Sequence, residues 1–264
     1  MTETWHHGLI ATWWAEFNDS GPEVEFFKPY VEAGQPALDL GCGTGRLLLP
    51  WLRAGLDVDG CDMSADMIAL CRKAADREGL TTNLYAQAMQ DLDLPRRYRT
   101  IVVCGALGLG GRREDTREGL RRIYEQLEPG GTFVVDNQVP YIDGDQWKVW
   151  QKEARAELPR PWGEPPDDRR LGSDGAEYAL RARLVAFDPL EQQTTYEIRA
   201  WMWRAGELVA EEEHRLDMTL YFTHEIELML ELTGFVDVEL RAGYADRPPT
   251  VDDDFVVFVA KKPG

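Results

Sequence analysis

The sequence predicts an α/β fold: a doubly wound, mostly parallel sheet with an antiparallel β segment inserted after its fifth strand. Three observations predict it. Short apolar runs alternate with helix-period segments through the first half of the chain, as successive βαβ units require. One of these runs, Ala37-Leu38-Asp39-Leu40, passes directly into alternating glycines. From residue 178 to 222 the period changes from helical to two, which ends the βαβ pattern.

In chain order, residues 22–33 (PEVEFFKPYVEA) place apolar groups at helical spacing, with Pro29 as a kink. Residues 37–40 form a buried strand, and 45–53 a Leu-rich helix that Pro50 should distort. A second strand covers 58–62, and a helix 64–78 with Ser64 as its N-cap. Residues 83–87 and 100–104 read as strands three and four, 113–127 as a helix, and 131–137 (GTFVVDN) as strand five. Residues 157–176, rich in Pro, Gly and charge, read as a surface loop or disordered connector. The meander over 178–222 turns at Asp188-Pro189 and Ala205-Gly206. A helix over 223–233, capped by Thr223 and closed by Gly234, precedes two last strands at 236–240 and 255–260. The expected division is a main domain of residues 1–137 and 220–264, with 138–219 inserted.

Composition narrows the function. With 44% apolar residues among 264, the chain can bury a substantial core in one large domain carrying an insertion. Twenty-nine basic residues against forty-seven acidic ones leave a net charge of −18, which repels phosphate backbones and anionic lipid. Nucleic-acid and membrane partners are disfavoured. Cys42, Cys61, Cys71 and Cys104 stand at scattered spacings beside apolar stretches, as buried free thiols do. That usage fits a reducing compartment and no metal site. No secretory pattern opens the chain and no apolar run reaches membrane-spanning length, so a cytoplasmic location is expected.

The chemistry concentrates where the first strand ends. Gly41, Gly43 and Gly45 permit a sharp turn and close approach of a ligand to the main chain. Asp62, 21 residues after Gly41, ends the second strand, where a carboxylate can accept from both hydroxyls of a ribose. The dinucleotide pattern G-x-G-x-x-G fails, because Arg46 stands where its third glycine would fall. Asp39, two residues before the first glycine, is placed to meet a cationic amino group. A ligand with a ribose, an ammonium and a carboxylate, but no pyrophosphate, satisfies this set. S-adenosylmethionine (SAM) is such a ligand.

The stretches LDLGCGTGRLL, DGCDMSADMI and LEPGGTFVVD resemble class I SAM-dependent methyltransferases, over residues 37–137 and again at YFTHEIELMLELTGFVDVEL. The resemblance implies a Rossmann-like sheet of seven strands with the last antiparallel. It implies that Gly41, Cys42, Gly43, Gly45 and Arg46 form the cofactor turn. Asp39 would face the methionine amino group, Asp62 the ribose, and Met63 ribose or adenine. Many members carry an adenine-binding Asp after strand three; here Asp91 lies too far along to match it. Adenine contacts then fall to backbone at Ala88 and Met89, or to Gln87 or Gln90. Gly105, Ala106 and Leu107 would flank the methionine portion. The Asn-Pro-Pro-Tyr motif of many nucleobase and amide methylases is absent.

The inserted meander resembles, in layout, the lid of small-molecule N- and O-methyltransferases. The function so implied is direct SN2 methylation of a small-molecule acceptor, tilted toward nitrogen. Trp14, Asn137, Trp147 and Tyr221 are the candidate acceptor contacts, and His6, His7 and His214 the candidate bases. His224, in the first turn of its helix, reads as structural. The alternatives are a non-catalytic SAM-binding partner protein and a NAD-type dehydrogenase with an atypical glycine loop.

Overall fold

The computed structural model of the chain describes residues 4–18, 21–142, 144–163 and 168–264. Two helices, α1 (Gly8–Phe17) and α2 (Glu23–Ala33), precede the first strand. Then follow β1 (Ala37–Leu40), α3 (Leu48–Arg53), β2 (Val58–Asp62), α4 (Ala65–Arg77), β3 (Leu84–Ala86), β4 (Tyr98–Val103), α5 (Arg113–Gln126) and β5 (Leu127–Gln138). Two short helices, α6 (Gly144–Lys148) and α7 (Lys152–Arg155), lead to β6 (Arg170–Leu171), β7 (Glu177–Asp188), β8 (Gln193–Arg204) and β9 (Glu207–Thr219). The chain closes with α8 (Thr223–Thr233), β10 (Val236–Ala242) and β11 (Phe255–Lys261).

Seven strands form one sheet in the order β10-β11-β5-β4-β1-β2-β3, parallel except that β11 runs antiparallel to both of its neighbours. The central strands are apolar throughout because helices cover both faces. Ile101, Val103, Phe133 and Val135 face one side with Leu120, Ile123, Ile226 and Leu230. Val102 and Val134 face the other, with Phe27, Leu48 and Trp51. Each such side chain, fully buried, contributes about 1.5–3 kcal/mol. The strand order reverses between β1 and β4, the switch point where a doubly wound sheet opens a crevice outside its carboxyl edge.

The second sheet, β6-β7-β8-β9, is antiparallel. Its tight hairpin turns through Ala205 (φ 50°) and Gly206 (φ 82°), the paired left-handed conformation that matches strand twist. The end of β9 joins this sheet to the loop after β4. Gly110 N–H donates to Asp217 O at 2.7 Å, and Thr219 N–H to Gly108 O at 2.9 Å. Gly108 has φ +81°, and a Cβ there would stand 2.4 Å from Thr219 O, so only glycine allows the contact. Helix α1 bridges α4 and β9: its Gly8 N–H donates to Asp66 Oδ2 at 2.8 Å and its Leu9 N–H to Glu212 Oε2 at 2.8 Å.

Several local expectations are corrected. The helix after the glycines begins at Leu48, which puts Pro50 in its first turn, where a missing N–H breaks no intrahelical bond. Phe222, not Thr223, caps α8; its N–H donates to Glu225 Oε2 at 2.8 Å. The Pro-rich connector contains the two-residue strand β6, and its residues 164–167 lie outside those described. Ser64 caps α4 as expected, accepting from Met67 N–H at 3.2 Å, and all four cysteines are buried free thiols. Among the described residues no helix is long and apolar enough to cross a membrane.

Candidate active site

A cavity of about 430 Å³ lies at the switch point, a volume suited to a small ligand. Its floor is the loops that leave the parallel strands. Asp39, Gly41, Cys42, Gly43 and Arg46 come from the end of β1, and Asp62 and Met63 from β2. Gln87, Ala88, Met89 and Gln90 follow β3, and Gly105, Ala106 and Leu107 follow β4. The roof is Thr4, His6, Trp14 and Asn18 around α1, with Tyr244 and Phe255 at the far side.

Within the glycine turn the three glycines do different work. All have positive φ, of 83°, 53° and 95° in order. A Cβ on Gly43 would meet open space, whereas one on Gly45 would stand 2.8 Å from Leu49 Cγ and 2.9 Å from Cys71 Sγ. Gly45 therefore packs the turn onto α3 and α4 and does not line the cavity, a correction to its expected cofactor contact. Gly43→Ala is expected to lower stability by about 1 kcal/mol through the backbone alone, and Gly45→Ala by about 2 kcal/mol because it also overpacks. Urea denaturation of the two variants checks the order; equal losses would contradict the packing role.

Two carboxylates govern the electrostatics. Asp62 accepts Gly43 N–H at 2.9 Å on Oδ2 and Ser64 N–H at 2.8 Å on Oδ1, so it ties the turn to the tip of β2. Asp39 is buried, takes a backbone bond from Leu48, and leaves Oδ2 with no partner among the described residues. Burial first, and then the neighbouring Asp62 charge, raises its pKa to about 7. Burial also raises that of Asp62. An unpartnered buried carboxylate oxygen beside an open glycine turn is the complement of a cationic group. These residues fit the ammonium-bearing end of SAM. Arg46, by contrast, is paired to Glu23, and its Nη2 lies 3.6 Å from Cys104 Sγ.

The histidines are corrected. His6 lines the cavity, but its Nε2 accepts from Trp5 Nε1–H at 3.0 Å and its Nδ1 lies 2.6 Å from Thr4 Oγ1. An indole N–H only donates, so Nε2 holds the lone pair and Nδ1 the proton. Burial, aided by His7, lowers its pKa to about 4, so the ring is neutral with both nitrogens engaged. His7 and His214 lie outside the cavity lining, ring to ring at 3.9 Å, and His214 Nε2 is 3.0 Å from Glu212 Oε2. They join α1 to β9. His224 is exposed beside Glu227.

Of the expected acceptor contacts, Trp14 lines the cavity and its indole N–H is buried with no partner among the described residues. The other three are corrected. Asn137 Nδ2 donates to Tyr221 O at 2.9 Å, which ties β5 to the entry of α8. Tyr221 is 1% exposed, in the core under the Arg113 guanidinium. Trp147, 42% exposed, packs with Trp150 and Phe222. Sequence reasoning missed Asp136 and Tyr244. Asp136 carried the signal that marked Asp39 and Asp62, an acid at the carboxyl end of an apolar strand; Tyr244 carried none.

Residues 37–131 match the family model described as a methyltransferase domain. A putative methyltransferase of Geobacillus sp. is 24% identical over 253 residues, covering 89% of this chain and 88% of that protein. Among solved structures, the CcbJ methyltransferase from Streptomyces caelestis superposes with a TM-score of 0.71 at 22% identity, over 100% of both chains. The sugar N-methyltransferase KedS8 from Streptoalloteichus sp. does so with a TM-score of 0.65 at 19% identity, over 92% of this chain and 88% of that one. Residues 37–131 therefore carry a methyltransferase domain, and the chain as a whole shares the fold of SAM-dependent methyltransferases.

Proposed function

We propose that this enzyme methylates a nitrogen of a small-molecule acceptor, held with SAM in the cavity between the β-strand tips and the roof around α1. In this reading Asp39 receives the methionine ammonium and Asp62 the ribose hydroxyls. Gly41, Cys42 and Gly43 approach the donor through the main chain, Met63, Ala88 and Met89 meet the adenosine, and Gly105 and Ala106 flank the methionine chain. Residues 138–219 act as a lid that keeps water from the reacting centre. The donor, when bound, supplies a methyl group already activated on sulfur, so the chain's task is placement of the acceptor. The unpartnered indole N–H of Trp14 offers a donor to an acceptor oxygen.

The observation that carries the choice of nitrogen is the state of the histidines. A neutral amine brings its own lone pair, whereas a hydroxyl needs a base, and His6 has no free basic nitrogen. The description of KedS8 as a sugar N-methyltransferase supports amino sugars as the first class to try. The test is incubation with methyl-labelled SAM and matched panels of amino sugars, simple amines and hydroxyl compounds, read by mass spectrometry. Label is expected on nitrogen, with S-adenosylhomocysteine released. Label confined to oxygen would reverse the choice of atom. SAM binding with no labelled product from either panel or from a metabolite extract would favour a non-catalytic binding protein.

A further inference from the structure

The connection between β10 and β11 carries Tyr244 into the cavity wall. Its φ of 54° lies in the left-handed region, which bulky residues adopt only when their surroundings hold them there. The hold is visible. The ring sits among Phe26, Phe27 and Phe255, with centroids 6.0, 5.9 and 5.9 Å away, and the hydroxyl donates to Asp136 Oδ2 at 2.6 Å. Asp136 is 2% exposed near the end of β5, and its Oδ1 accepts Gly105 N–H at 2.6 Å. Gly105 opens the turn after β4 with φ +64°, and a Cβ there would meet open space. A buried carboxylate is thus fixed by backbone on one oxygen and reaches the cavity through a phenol on the other.

The remaining groups around this carboxylate leave the arrangement intact. Cys104 Sγ lies 3.4 Å from Asp136 Oδ2 and 3.8 Å from the Tyr244 hydroxyl, a weak thiol contact on the protein side, and Arg46 stands beyond it, already paired to Glu23. A phenol that donates inward presents only acceptor lone pairs outward, with a negative charge behind them. That is a receptor for an N–H group. Burial raises the pKa of Asp136, which readies it to take a proton, and burial beside Asp136 raises that of Tyr244, which keeps it a phenol.

We propose that Tyr244 is a catalytic residue that receives the N–H of an amine acceptor, with Asp136 as the positioning residue and final proton acceptor behind it. The proposal rests on the reading of the cavity as shared by SAM and an amine. As the acceptor nitrogen bonds to the methyl carbon, the S–C bond breaks and its electron pair stays on sulfur. The surplus N–H proton passes to the Tyr244 oxygen while the phenol proton moves to Asp136 Oδ2. One positive charge on the donor and one negative charge on Asp136 become a neutral thioether, a neutral methylated amine and a neutral carboxylic acid. A weak relay of this kind suits nitrogen, whose proton turns acidic once the methyl arrives.

The experiment needs no knowledge of the acceptor. Sinefungin carries an amine-bearing carbon where SAM carries its methylated sulfur, and S-adenosylhomocysteine carries a bare sulfur there. Titration calorimetry on the full chain compares the two. Wild type is expected to bind sinefungin about tenfold or more tighter than S-adenosylhomocysteine. Tyr244→Phe keeps the packed ring, and Asp136→Asn keeps an oxygen for Gly105. Each is expected to bring the ratio toward one while S-adenosylhomocysteine affinity holds within about twofold. A wild type that prefers neither compound, or a ratio unmoved in Tyr244→Phe, overturns the proposal while leaving the cavity reading in place. So do parallel losses of both affinities, which would put Tyr244 on the part of the ligand they share. Failure of wild type to bind either compound overturns the proposal and the cavity reading together.

Discussion

Asp62→Ala is expected to weaken SAM binding by about 3 kcal/mol, roughly 150-fold in Kd. Two losses combine. The ribose hydroxyls lose a charged acceptor, and the glycine turn loses its tie to β2, because Asp62 also accepts Gly43 N–H at 2.9 Å and Ser64 N–H at 2.8 Å. The turn must then be ordered by the ligand, which opposes binding. Asn is no conservative substitute here. Its single oxygen can serve Gly43 or Ser64, and its NH₂ would face the other N–H donor to donor. Asp62→Asn should therefore fall closer to the alanine variant than to wild type. Calorimetric titration with SAM checks both variants. A loss below about fivefold in Asp62→Ala would mean the carboxylate serves the turn alone.

That double duty shows what a linear reading reaches and where it stops. Asp39 and Asp62 stood out because a carboxylate at the end of an apolar strand conflicts with burial, and the adjacent glycines marked the turn between them. The mostly parallel sheet, the antiparallel last strand and the inserted meander followed from periodicity and from the family resemblance; the strand order did not. Packing was not legible in the same way. Gly45 looks identical to Gly43 in the sequence, and only the approach of Leu49 and Cys71 assigns it to the core. Trp147 and Tyr221 are aromatics in the insertion and at its exit, but one packs against Trp150 and Phe222 and the other is in the core. The Asp136–Tyr244 pair joins residues 108 apart, and no local pattern encodes a contact of that span. His6 was legible as near the cavity; that Trp5 and Thr4 occupy its ring nitrogens was not.

Asp39→Asn is expected to stabilise the ligand-free protein while weakening SAM binding, and both effects should follow pH. In the folded, ligand-free state Asp39 has a pKa raised to about 7, by burial first and by Asp62 second. An unfolded Asp titrates near 3.9. Below about pH 4 both states hold the proton, and stability is unaffected. Between about pH 4 and 7 the unfolded chain has released its proton and the folded chain has not, so the folded state loses ground as pH rises. Above about 7 the loss is complete and of order 2–4 kcal/mol. Asparagine never ionises. The variant should be the more stable protein at pH 8, with its advantage about 1 kcal/mol smaller at pH 6. Ligand binding reverses the preference, because an ammonium against Oδ2 requires Asp39 ionised. Wild-type affinity for SAM should rise up to about tenfold per pH unit toward pH 7, then turn over as the amino group itself titrates near 8. Asp39→Asn should lack the rising limb and bind about 30-fold more weakly at pH 7.5, near 2 kcal/mol. Urea denaturation at pH 6 and 8, with calorimetric titrations across the same range, checks each part. A rising limb that survives in Asp39→Asn would assign the proton to another group and remove Asp39 from the ammonium site.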